Sequence, residues 1–262
     1  MPDVEVVDAR LHIALDAAPT DPGGVEDVLR RMDRNGIATA VAAPAPAYET
    51  PDGVASTARQ NAALRAVLDR WPDRFLAGLG VAEPRHGARA VPEARRAVTD
   101  LGLAGLAFDN DVAGLAIDSD AMLPLLEELS GHEGVVAAVV TGAYSVLRSP
   151  FRLGVVARRL PTLRFLACNA FADITHETAS HDLAERCPNV WFCLDNAKTQ
   201  LFTVERAVEH VGAGRVLYGS GIPAVERSLH LEMVRIADVT DEDRARILGS
   251  TARRLFGGRE AA

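Results

Sequence analysis

Asp8, Arg10 and His12 occupy every second position of the stretch Val4-Glu5-Val6-Val7-Asp8-Ala9-Arg10-Leu11-His12. They combine a carboxylate, a permanently charged guanidinium and an imidazole able to titrate near neutrality. Alternation of residue types marks a half-buried strand, on which every second side chain shares a face, so the three are expected on one wall. That wall is either the polar side of an exposed edge strand or the lining of a polar pocket at a barrel mouth. In a pocket, Arg10 would grip a carboxylate or phosphate through its fork, or steady an oxyanion in a low dielectric. The competing reading pairs Arg10 with Asp8 in a sealed, inactive pocket. His12 is open to two readings, a general base or a ring held by Asp8.

The rest of the chain must supply the scaffold. Val25, Val28, Leu29 and Met32 recur at helical spacing up to Asn35-Gly36, a C-terminal stop. A strand is expected at Thr39 to Ala43. A proline-rich loop follows from Pro44 to Asp52, then a helix capped by Ser56 and striped by Leu64, Val67, Leu68 and Trp71. Further strands are expected at Phe75 to Val81, Ala104 to Asp109, Val135 to Thr141, Arg164 to Asn169, Val190 to Asp195 and Val216 to Ser220. The helices between them are expected at Val91 to Leu101, Asp120 to Leu129, Phe151 to Arg159, His176 to Cys187 and Val204 to Val211. Two helices close the chain, Val225 to Ile236 and Asp241 to Phe256, the second with Thr240 and Asp243 placed as a capping box. Eight strands alternating with helices and no composition break predict an α/β fold: one (β/α)8 TIM barrel, residues 1–262 forming a single domain. A doubly wound open sheet is the alternative.

Either architecture puts chemistry at the carboxyl ends of the strands. Asp109 there is an acid or base if burial raises its pKa, or the cap of the next turn with Asn110. Thr141, Asn169, Asp195 and Asn196 could orient substrate. Lys198 is the only lysine of the chain; it is a Schiff-base or acid-binding candidate, or a solvated loop residue. His176-Glu177-Thr178-Ala179-Ser180-His181 is one residue too long for HExxH, so its rings leave a common helix face. Gly212-Ala213-Gly214 precedes a strand instead of following one, and Gly219-Ser220-Gly221 lacks nucleophile-elbow spacing.

The order of segments resembles the amidohydrolase-related family, the barrel hydrolases and decarboxylases similar to aminocarboxymuconate semialdehyde decarboxylase. Asp8-Ala9-Arg10-Leu11-His12 corresponds to its Asp-x-His-x-His. Asn61 with Trp71-Pro72-Asp73-Arg74-Phe75 corresponds to its Asn…His-Pro-Asp-Arg-Phe, and Leu103-Ala104-Gly105-Leu106-Ala107 to its Leu-Arg-Gly-Val-Lys. Val140-Thr141-Gly142 stands for its His-Thr-Gly, and Cys168-Asn169-Ala170 for a His followed by small residues. Pro188-Asn189-Val190, Tyr218-Gly219-Ser220-Gly221-Ile222-Pro223 and the last helix also match. The resemblance implies metal ligands at five positions, which here carry Arg10, His12, Val140, Asn169 and Gly221. Arg has no lone pair to give, and Val140 and Gly221 offer no side-chain donor, whereas catalytic zinc takes about three protein ligands. An empty metal site and no cofactor are therefore expected.

The net charge of −8 argues against nucleic acid as a partner, and no apolar run is long enough to span a bilayer. The acidic start, Met1-Pro2-Asp3-Val4-Glu5, does not resemble a signal peptide, and Cys168, Cys187 and Cys193 lack CxxC spacing, which fits reduced thiols and a cytoplasmic protein. The functional expectation is a divergent, metal-independent hydrolase or lyase, including decarboxylation, acting on a small carboxylated or carbonyl compound, with an anionic substrate favoured. Arg10, His12 and Asp109 are its catalytic candidates, and Asp8, Thr141, Asn169, Asp195, Asn196 and Lys198 its substrate-binding ones. The alternative is a catalytically silent barrel, a pseudoenzyme that binds a metabolite or partner. By analogy with other barrels, a homodimer is expected.

Overall fold

In a computed structural model, residues 4–45, 53–142, 145–195 and 202–257 are described. Eight parallel strands lie side by side in chain order: β1 (Val6–Ile13), β2 (Ile37–Pro44), β3 (Phe75–Gly80), β4 (Gly105–Phe108), β5 (Val136–Val140), β6 (Arg164–Cys168), β7 (Val190–Cys193) and β8 (Val216–Leu217). Two backbone bonds join the ends of the series. Ala9 N–H donates to Tyr218 O at 2.9 Å and His12 N–H to Ile222 O at 3.0 Å. The expected barrel is therefore the fold, and the open sheet is excluded.

Helices α1 (Val25–Asn35), α2 (Gly53–Arg70), α3 (Val91–Thr99), α4 (Asn110–Ala113), α5 (Leu123–Ser130), α6 (Pro150–Arg159), α7 (Ile174–Arg186) and α8 (Thr203–Val211) connect successive strands. After β8 come α9 (Leu229–Ile236), α10 (Asp241–Ala245), a π turn (Arg246–Ser250) and α11 (Thr251–Phe256). The turn at Gly36 is as expected: its φ of 67° is the left-handed conformation that glycine adopts without steric cost.

Two layers of core follow from strand periodicity. Val7, Ala9, Val41, Val136, Ala138 and Leu166 are among the side chains that fill the barrel interior. Leu11, Ile13, Ala40, Val139, Phe165 and Phe192 belong to the outer layer beneath the helices. Ala252, Leu255 and Phe256 of α11 join the inner cluster. They close the amino-terminal end, where Arg164, the first residue of β6, donates to Leu255 O.

Four local expectations need correction. Ser56 lies inside α2, where its hydroxyl accepts from Gln60, and does not cap the helix. The helix expected from Val225 begins at Leu229, because the carbonyls of Pro223 and Val225 accept from Arg31 and that of Glu226 from Asn35. The last helix is interrupted by the π turn, where Ile247 O accepts from Tyr218 N–H at 3.0 Å and Gly249 abuts Glu5 O so closely that a Cβ would lie 2.7 Å from it. Thr240 caps α10 as expected, accepting from Asp243 N–H at 3.1 Å. The fourth correction concerns the face shared by Asp8, Arg10 and His12. Between Asp8 and Leu11 the pairing with β2 shifts, three steps on β1 against two on β2. Such a bulge changes the phase of alternation. Val7 and Ala9 point inward before it; Leu11 and Ile13 point outward after it. Arg10 and His12 consequently join the inner wall, and Asp8 is left out of phase with them, in the seam between β1 and the chain beyond β8.

Candidate active site

The bulge that reverses the phase of β1 is held by Asp8. Its Oδ1 accepts from Arg10 N–H at 3.0 Å and from Ser220 N–H at 3.1 Å, and its Oδ2 accepts from the Ser220 hydroxyl. Ser220 Oγ accepts in turn from Ile222 N–H at 3.0 Å. Asp8 and Ser220 are completely buried. Burial pushes the Asp8 carboxyl up to about 7, against the bonds from Ser220 and Arg10 that favour its charged form. Asp8 is thus a backbone clasp, and the expected Asp8 to Arg10 side-chain pair is replaced by another.

Arg10 is ion-paired through Nη1 with Asp195, just beyond β7. The other oxygen of Asp195 accepts from Asn169 N–H at 2.8 Å, and Asn169 adopts a left-handed φ of 58° just after β6. Burial opposes the Arg10 charge, but the Asp195 carboxylate outweighs it and holds the guanidinium above its ordinary range. His12 Nδ1 lies 3.1 Å from Pro44 O. A carbonyl only accepts, so Nδ1 carries the proton and Nε2 is left with a lone pair. Burial first and the Arg10 charge second push this ring down to about 4. At neutral pH, therefore, a cation and an uncharged imidazole stand side by side.

Both line a cleft of about 820 Å³, part of it open to solvent, above the carboxyl ends of β1 to β5. Its floor and walls include Ala107, Phe108, Ala138, Val140 and Met122. Asp109 lines it as well, and caps α4 by accepting from Asp111 N–H at 3.1 Å while Arg148 donates to it at 2.6 Å. Thr141, Asn169 and Asp195 do not line the cleft: the Thr141 hydroxyl donates to Cys168 O at 2.8 Å, and the other two support Arg10 from behind. Asn196 and Lys198 lie outside the described residues.

Sequence reasoning missed Glu83 and Arg85, which line the cleft beyond β3. Arg85 donates to both Glu83 oxygens, at 2.7 and 2.6 Å. Burial works against the charged Glu83, and these bonds outweigh it, holding the carboxyl below its usual range. The signal was available, since Glu83-Pro84-Arg85 follows a strand at the end where chemistry collects.

The match to known proteins spans this whole framework. Residues 7–258 match the Amidohydrolase family, and the chain belongs to that family. Among solved structures, it resembles 5-carboxyvanillate decarboxylase LigW from Sphingomonas paucimobilis, with 16% identity, a TM-score of 0.76, and coverage of 97% of this chain and 99% of that one. The 5-carboxyvanillate decarboxylase of Novosphingobium aromaticivorans, complexed with manganese and 4-hydroxy-3-methoxy-5-nitrobenzoic acid, is similar at 13% identity and TM-score 0.75, covering 97% and 96%. The 2,6-dihydroxybenzoate decarboxylase from Rhizobium gives 18% identity and TM-score 0.70, covering 97% and 98%. No curated protein matches by sequence. Among the described residues, no group of three or more His, Cys, Asp or Glu side chains is arranged to hold a metal ion, and no helix is long and apolar enough to cross a membrane.

Proposed function

We propose that this chain is a metal-independent lyase or hydrolase acting on a small carboxylated or carbonyl compound. The observation that carries the reading is the Asp195-backed guanidinium of Arg10 beside the bare Nε2 of His12, in a largely apolar cleft at the catalytic end of the barrel. The family and its decarboxylase neighbours support a lyase or decarboxylation step.

Residues around Arg10 do not fit the manganese named for one relative. Arg10 has no lone pair to donate and would repel a cation, Val140 offers no donor, and Asp195 is already paired with Arg10. The chemistry is then assigned to the protein's own groups. In a decarboxylation, the bond between the departing carboxylate and the carbon beside a carbonyl breaks and CO2 leaves. The electron pair moves through that carbon onto the carbonyl oxygen, where Arg10 donates to the charge that develops, and water supplies the proton that the carbon then takes up. In a hydrolysis, water adds to the carbonyl while His12 Nε2 takes its proton and returns it to the leaving group. Asp109 lines the same cleft. Binding energy aimed at charge absent from the ground state accelerates the step.

The test is product formation from a panel of small carboxylated and carbonyl compounds, before and after exhaustive chelation. Turnover is expected to survive chelation and to fall about 100-fold or more in Arg10→Met, with the acid limb of His12 near 4. Loss of turnover on chelation, or full activity in Arg10→Met and His12→Ala, overturns the reading. The second reading is a silent binding barrel, in which His12, held uncharged by burial and the Arg10 charge, takes no proton; it predicts stabilisation by ligands without product. We read residues 1–262 as one domain that works in the cytoplasm as a homodimer; light scattering in solution checks the last point.

A further inference from the structure

The cleft carries charge but no surplus of it. Among the described residues, four charged side chains line it, and each has an opposite partner: Arg10 has Asp195, Arg85 has Glu83, and Asp109 has Arg148. Among the described residues, then, an anion seated against Arg10 would lose its water without gaining an uncommitted cation, which is unfavourable in an apolar setting.

The two side chains on the β1 wall add a direction to this neutrality. Arg10 can only donate. His12, with Nδ1–H turned to the Pro44 carbonyl, presents Nε2, which can only accept. The wall therefore displays a donor and then an acceptor. A carboxylate has acceptors at both ends; one oxygen would satisfy Arg10 and the other would meet the Nε2 lone pair. An uncharged carbonyl with a hydrogen on the neighbouring atom satisfies both.

We propose that Arg10 and His12 grip an uncharged carbonyl that bears an N–H or O–H on the adjoining atom, as in a carboxamide or an un-ionised acid, and discriminate against a carboxylate at that position. This deepens the proposed function, resting on the same cleft, and it leaves room for a carboxylate elsewhere on the ligand. Asp195 is the specificity-determining residue, because its pairing with Arg10 removes the free positive charge.

Benzamide and benzoate, equal in shape and different in charge and donor pattern, are the probes. Calorimetric titration of the wild-type protein at neutral pH is expected to give benzamide binding at least about tenfold tighter than benzoate. Benzoate binding should strengthen as the pH falls from neutrality toward, but not into, the range near 4 where His12 takes up a proton, while benzamide binding holds steady. In Asp195→Asn, which keeps an oxygen for the Asn169 N–H but unpairs Arg10, benzoate is expected to gain at least about tenfold relative to benzamide. Tighter binding of benzoate by the wild type, absence of benzamide binding, or an unchanged ratio in a folded Asp195→Asn protein overturns the proposal. If that variant fails to fold, the wild-type pair and its pH series still decide. These readouts measure binding alone, so a protein that passes them without turning over any compound refutes the enzymatic reading and leaves this one standing.

Discussion

The two ends of the barrel are built on opposite principles. At the amino-terminal end, Ala252, Leu255 and Phe256 of α11 join Val7, Leu79 and Leu217 in one buried apolar cluster, with the Arg164 guanidinium at its edge donating to Leu255 O. At the carboxyl-terminal end, the interior opens onto ion pairs and an imidazole. The first end gains stability from area removed from water, which needs no particular geometry. The second holds desolvated charges that persist only while each keeps its partner. The contrast implies that stability and recognition are separable here by mutation.

Arg10→Met should strike the charged end hardest. It leaves Asp195, 1% exposed, without its cation, and the expected destabilisation is about 3–5 kcal/mol, read as a urea midpoint alongside the loss of ligand binding. Phe256→Ala is expected to cost a similar or slightly smaller amount, about 3–4 kcal/mol, through the cavity it opens. Benzamide affinity should be unaffected in the protein that remains folded; a changed affinity would show that the two ends are not separable.

A smaller effect is expected from Asp8, and its sign is fixed by linkage. The unfolded carboxyl loses its proton near its ordinary value of 3.8, the folded one near 7. Between these values the folded state holds more protons, so stability falls as pH rises from about 4 to about 7, and the loss is complete above that. Asp8→Asn should remove this slope, gaining stability relative to wild type between weakly acidic and neutral pH by an amount on the order of a few kcal/mol. Parallel slopes for the two proteins would show that Asp8 does not titrate in this window. Arg148→Ala, which cuts a partly exposed pair with Asp109 and Asp111, should cost about 0.5–1 kcal/mol.

Periodicity made the barrel legible because each strand and helix must bury one face, and the spacing of apolar residues records that need. The candidate site was legible only in part. Arg10 and His12 were found from type and position, and the cap role of Asp109 was one of its two readings. The partner of Arg10 was assigned to Asp8 because a two-residue spacing on an ideal strand puts both on one face. The bulge that cancels this is held by the Asp8 carboxylate accepting from the N–H and hydroxyl of Ser220, 212 residues away, and leaves no local mark in the sequence. Asp195 was recognised as a strand-end residue, but the ion pair that gives it its role arises from closure of the barrel. Glu83 and Arg85 went unnoticed because the strand-end rule was not carried one turn past β3.

Strand order has a further consequence for how the molecule assembles. Every junction but one joins strands that are neighbours along the chain, so the wall can grow by short crossovers with modest loss of loop entropy. The junction between β1 and the chain at and beyond β8, which includes the Asp8 to Ser220 bonds, unites segments at opposite ends of the strand series, and topology places such long-range closure late. Arg10 would then acquire its aim in the final stage of folding, after the hydrophobic work is done. Ser220→Ala should accordingly hasten unfolding while leaving the refolding rate nearly untouched, as stopped-flow chevrons would register.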